Sequence, residues 1–86
     1  MSDESDCRAV TAQVFRLLKE EREQRGLSKY ALAAKSGLSQ QAIGYIERGM
    51  TSPALETLLR MAKAMEVDLA VVLRKAQREM AKPETK

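Results

Sequence analysis

Two adjacent glutamines, Gln40 and Gln41, lead the segment Ser39-Gln40-Gln41-Ala42-Ile43-Gly44-Tyr45-Ile46-Glu47-Arg48. A glutamine amide carries a donor beside an acceptor, so it can pair with two atoms on the edge of a base, as with N6 and N7 of adenine. The plain alternative is that both glutamines are solvated residues on a polar surface. Other chemistries find little support. The 86 residues include no histidine, which removes imidazole acid–base catalysis and imidazole metal ligation. Cys7 is the single thiol and has no second thiol with which to build a zinc site or a dyad. No glycine-rich phosphate loop precedes a helix. The chain reads as a non-enzyme with no metal site and no cofactor.

The element that must carry the glutamines is a helix with two distinct faces. With Gln40 at 0° and ~100° per residue, Gly44, Arg48, Gln41 and Tyr45 fall between about 40° and 140°. Ala42, Ile46, Ile43 and Glu47 fall between about 200° and 340°. One arc docks on the protein and the other is left free. Ser39 precedes the helix as N-cap, with Leu38 stapled to Ile43 and Gly49 as terminator. The helix before it begins at the cap Ser28, with Leu27 stapled to Leu32, and stops at Gly37, so two short helices meet at a tight turn.

The rest of the chain reads as further helices. Residues 1–8 are expected to be a disordered polar lead, 9–81 one folded domain and 82–86 a polar tail. The first helix spans Ala9 to Arg25, with Val14, Leu17, Leu18 and Phe15 as apolar positions, and closes at Gly26. Ser52 as N-cap and Pro53 at the first position open a fourth helix reaching Met65, with Leu55, Leu58, Leu59 and Ala62 inward. Asp68 caps a fifth, from Leu69 to Ala81, with Val67 stapled to Val72. Trp is absent, Phe occurs once and Tyr twice, so the core must be aliphatic. The expectation is an all-α, compact five-helix domain, long enough to bury roughly 60–65% of its unfolded surface.

Charge and compartment narrow the partners. The net charge is +3. Residues 29–53 hold three basic and one acidic side chain, whereas residues 1–28 hold five and six. That is no polycationic coat. It suits a specific binder whose nonspecific affinity is low and salt-dependent. A lone cysteine fits a reducing cytoplasm. The acidic opening residues do not resemble a signal peptide, and no apolar stretch approaches a membrane span.

Several motifs stand in register: Arg22 to Leu27, Ala31-Leu32-Ala33, Gly37, Ile46-Glu47-Arg48-Gly49, Pro53, Leu58 to Ala62, and Val67. In order and spacing the segment from about Leu17 to Leu73 resembles the lambda-repressor-like, Cro-type helix-turn-helix family of bacterial and phage regulators. In size and layout it is similar to the small regulators found beside restriction–modification genes. One departure is Glu66, where relatives often have glycine; it is expected to strain that turn by roughly 1 kcal/mol.

The resemblance implies roles. The third helix would enter the major groove of a double-stranded DNA operator and read bases through Gln40 and Gln41. Gly44 would either let the helix approach the groove floor or be a neutral tolerance, and Tyr45 either touch a base or its sugar or pack at the domain rim. Lys29, Ser39, Arg48 and Thr51 would contact the DNA backbone, fixing orientation rather than sequence. Glu47 lies on the inward arc and needs a partner; the resemblance implies a structural ion pair with Arg22. Family members bind two-fold sites as homodimers, and the extended fifth helix is the expected dimer element. Leu69, Val72, Leu73, Ala76 and Met80 form one stripe on it with Val71 off the stripe; Leu69 and Leu73 cover the domain's own core, and Val71 and Met80 are assigned to the dimer interface. A transcription regulator that blocks or recruits RNA polymerase follows. The other class in view is an antitoxin-like interaction module that masks a partner protein.

Overall fold

The computed structural model describes residues 4–81. Its elements are α1 (Glu4–Gln24), α2 (Lys29–Ser36), α3 (Gln40–Glu47), α4 (Leu55–Ala64) and α5 (Leu69–Met80), with no strand among the described residues. Leu18 of α1, Leu32 of α2, Ile43 and Ile46 of α3 and Met61 of α4 are the largest fully buried side chains. Val72 and Ala76 close the core from α5. The core is aliphatic, with Phe15 as its one aromatic member. Each such Leu or Ile contributes about 1.5–3 kcal/mol of burial.

Local punctuation behaves as its residue types dictate. Ser28 Oγ accepts from Ala31 N at 3.0 Å, Ser39 Oγ from Ala42 N at 3.0 Å, and Asp68 Oδ1 from Ala70 N at 2.9 Å. These three caps satisfy N–H groups that an isolated helix start leaves unpaired. Gly37 closes α2 at φ 79°, with its N–H donating to Ala33 O. A side chain there would force a left-handed backbone that only glycine adopts cheaply, so the tight turn from α2 into α3 depends on this residue.

Four expectations are corrected. α1 begins at Glu4, five residues before Ala9, so residues 4–8 are helix rather than a disordered lead. α5 lies alongside α1, and Asp6, Cys7, Val10 and Thr11 line one depression with Gln77, so a neighbour absent from the local sequence supports those turns. Residues 1–3 and the tail 82–86 lie outside the described residues. Second, α4 opens at Leu55 after Ala54, without a side-chain cap, and Ser52 and Pro53 precede it. Third, two of the four inward positions expected on α4 face out: Leu55 and Leu59 are exposed, whereas Ala62 is buried and Leu58 is half-buried against the core, joined there by Met61 and by Met65 just past the helix. α4 packs against α2 and α5, and its apolar arc is wider than the set that is buried. Fourth, Leu73 is 43% exposed, because α5 turns Val72 and Ala76 inward instead.

Glu66 adopts φ 60°, the one non-glycine residue with positive φ among those described. Its neighbour's N–H, on Val67, reaches back to Ala62 O at 2.8 Å and ends α4. The backbone bond is made and the side chain suffers the left-handed strain. Glu66→Gly is expected to raise stability by about 1 kcal/mol. Urea denaturation of the two proteins checks it; an unchanged or lowered midpoint would show that the Glu66 side chain compensates for its backbone.

Candidate nucleic-acid interface

Ser39 fixes where α3 begins, and the inward anchors Ile43 and Ile46 fix how it is rotated. Gln40, Gln41, Tyr45 and Arg48 are left exposed along the opposite side. The glutamines stand at the helix N-terminus, where the α2–α3 turn brings the chain to the surface. They are not beneath any other part of the described fold.

The exposed side chains are not independent. Gln41 Nε2 donates to the Tyr45 hydroxyl at 2.9 Å. The Arg48 guanidinium carbon lies 5.5 Å from the centroid of the Tyr45 ring, within range of a cation–π contact. Residues four and then three apart on a helix are neighbours, so this strip follows from spacing. What spacing alone did not show is that the tyrosine hydroxyl is already engaged by a glutamine.

Gly44 departs from the expected reading face. It is buried. A Cβ built on it would stand 3.9 Å from Lys29 Nζ, so the lysine from the start of α2 lies over the middle of α3. An alanine methyl would make only ordinary contact there. The glycine is buried, and among the described residues the Lys29 ammonium is the one group within 4 Å of a Cβ built on it, helix α3's own backbone aside. Lys29 is half-buried in this position and thereby carries its charge onto the α3 surface. Sequence reading placed Lys29 and Gly44 separately, and only the packing of α2 across α3 joins them.

Ser39 caps α3, and its hydroxyl proton remains available to an outside acceptor. Thr51 and Ser52 are exposed in the segment between α3 and α4. They share a depression with Cys7, Arg8 and Thr11 of α1. Arg8 therefore stands on the same side as the Thr51 segment, which sequence reading missed by treating the first eight residues as a lead; no local signal marks it.

Behind this surface, Arg22 and Glu47 meet in a two-pronged ion pair. Arg22 Nε donates to Glu47 Oε2 at 2.6 Å and Nη2 to Oε1 at 3.0 Å, while Nη1 donates to Leu27 O at 2.8 Å. The side chains are 10% and 2% exposed. The hydrogen bond to Glu47 holds the Arg22 pKa above its ordinary value, against an opposing push from burial. One guanidinium thus ties the end of α1, the turn before α2 and the end of α3. Val71, 52% exposed, and Met80, 37% exposed, lie on α5, away from the α3 strip in sequence and helix.

Among the described residues no group of His, Cys, Asp and Glu could hold a metal ion, and no helix is long and apolar enough to cross a membrane.

Comparison with known proteins gives one consistent likeness. A helix-turn-helix family profile matches residues 18–72. The uncharacterized HTH-type transcriptional regulator y4dL of Sinorhizobium fredii is 34% identical over 65 residues, 76% of this chain and 33% of that protein. An uncharacterized HTH-type transcriptional regulator of Haemophilus influenzae is 41% identical over 51 residues, 59% of this chain and 52% of that protein. The chain thus spans between a third and about half of the length of these relatives. Among solved structures, the wild-type restriction–modification controller protein C.Esp1396I superposes with a TM-score of 0.74 at 27% identity, covering 83% of this chain and 92% of that one. The controller protein C.AhdI from Aeromonas hydrophila gives 0.67 at 30% identity, covering 73% and 94%. The matched span covers more than half of the chain and the all-α fold superposes on the controller proteins: the chain belongs to the Cro-type helix-turn-helix family.

Proposed function

We propose that the protein is a sequence-specific, double-stranded-DNA-binding regulator of transcription. The observation that carries this reading is the division of α3, with Ile43 and Ile46 in the core and Gln40, Gln41, Tyr45 and Arg48 outside. Family membership supports it, as do relatives named transcriptional regulators and restriction–modification controllers. Gln40 and Gln41 read base edges in the major groove. Lys29, Ser39, Arg48 and Thr51 hold phosphates, which position the protein without choosing sequence. Gly44 lies beside Lys29 and is assigned no contact of its own. The protein acts in the cytoplasm by occupying its operator, where it blocks or recruits RNA polymerase.

One reading helix offers a small interface, so tight specific binding calls for two copies on a symmetric site with half-sites about 34 Å apart. Val71 and Met80, both exposed on α5, are the contacts proposed for a homodimer. Equilibrium sedimentation finding only monomer at high micromolar concentration would remove the dimer from the proposal.

Selection from random duplexes by the purified protein tests the function. A symmetric enriched motif is the expected result; enrichment of no sequence would overturn the reading. Two substitutions then separate the roles. Gln41→Ala should relax preference at one position per half-site. Lys29→Ala should weaken binding to all sequences alike and reduce the slope of log affinity against log salt by about 1. A sequence-dependent loss for Lys29→Ala would make it a base reader instead.

A further inference from the structure

We propose that Tyr45 fixes the orientation of the Gln41 amide, so that the base pair facing Gln41 is read as adenine rather than guanine. The inference rests on the DNA-binding reading above. Its basis is the exposed strip in which Gln41 Nε2 donates to the Tyr45 hydroxyl at 2.9 Å and Arg48 stands 5.5 Å from the same ring.

A phenol oxygen can accept from an amide N–H or donate to an amide oxygen. Taken alone, the pair therefore tolerates either orientation of the glutamine. A phosphate removes that freedom. Phosphate oxygens only accept, and the Arg48 guanidinium draws one to the rim of the Tyr45 ring. Once the Tyr45 O–H is given to a phosphate oxygen, the tyrosine oxygen is left only its acceptor role. Gln41 must then turn its NH2 toward the tyrosine.

The outward edge of Gln41 follows from this. One N–H is used, and Oε1 with the second N–H remains: an acceptor beside a donor. Adenine presents the complement, the N6 donor and the N7 acceptor. With the amide reversed, both N–H groups would face outward and would suit guanine, whose O6 and N7 are both acceptors. A backbone contact that carries no sequence information by itself thus acquires some through a directed chain of two hydrogen bonds. Tyr45 is a positioning residue in this scheme: it selects the base through Gln41 without touching it.

The test uses the full chain and the duplex obtained by selection, with the base facing Gln41 held as adenine or changed to guanine. Tyr45→Phe keeps the ring under Arg48 and lacks the oxygen. The unsubstituted protein should prefer adenine by about tenfold or more, and Tyr45→Phe should reduce that ratio to within about threefold with an unchanged melting temperature. In a Gln41→Ala background, Tyr45→Phe should leave the ratio where it is. A Tyr45→Phe protein that keeps the full adenine preference, or that loses affinity equally for both duplexes, would overturn the proposal. So would a preference of the unsubstituted protein for guanine at this position. A protein that selects no sequence at all would sink the DNA-binding reading itself, a separate and recognisable outcome.

Discussion

Replacing Glu47 by alanine is expected to cost about 3–5 kcal/mol of folding stability, because it strands a guanidinium inside the fold. The Glu47 side chain is 2% exposed and accepts from two nitrogens of Arg22, whose third nitrogen donates to Leu27 O. An 86-residue chain has on the order of 4–13 kcal/mol in total at the usual stability per residue. The substitution therefore removes a large part of it. Because the pair joins the ends of α1 and α3, the same change frees the end of the helix proposed to read DNA. Arg22→Ala should be similarly harmful, and the double substitution clearly milder than the two single effects added together. Urea unfolding of the four proteins measures this coupling. Additive losses would show that the two charges act independently and that the pair has no structural role.

Leu32→Ala is expected to cost about 2–5 kcal/mol. Leu32 is fully buried and is the large core anchor of the eight-residue α2. A helix this short has little stability of its own and holds its place through packing. The cavity would loosen α2 and with it the seat of Lys29 over Gly44. Two measurements separate the consequences: the thermal midpoint should fall, and the salt dependence of DNA binding should flatten as the lysine loses its position. A loss under about 1 kcal/mol would mean that neighbouring side chains collapse into the space and that α2 is held by other contacts.

The helical wheel of α3 was legible in the residues because it depends on neighbours within one or two turns. Ile43 and Ile46 alternate with Gln40, Gln41 and Tyr45 at a spacing that admits one rotation only. The caps at Ser28, Ser39 and Asp68 were legible for the same reason: each is a side chain bonding a backbone N–H two or three residues on. Spacing also placed Gln41 one turn before Tyr45, although not the hydrogen bond between them. Periodicity marked Glu47 as inward-facing, but naming Arg22, 25 residues earlier, needed a family resemblance.

Where several faces of a helix were equally apolar, the residues did not say which would be covered. Leu55, Leu58, Leu59, Met61 and Ala62 occupy more of α4 than is buried, and tertiary packing left Leu55 and Leu59 exposed while covering Met61 and Ala62. The start of α1 was decided likewise by α5 lying beside it, and the meeting of Lys29 with Gly44 by the packing of α2 on α3. The amino-acid order by itself determined where helices start and stop and which side of α3 is apolar, since those terms are settled within a turn of the chain. Tertiary structure alone decided which surplus apolar surface stays exposed and which charges meet. Those terms depend on segments distant in sequence, whose approach is a property of the whole packing.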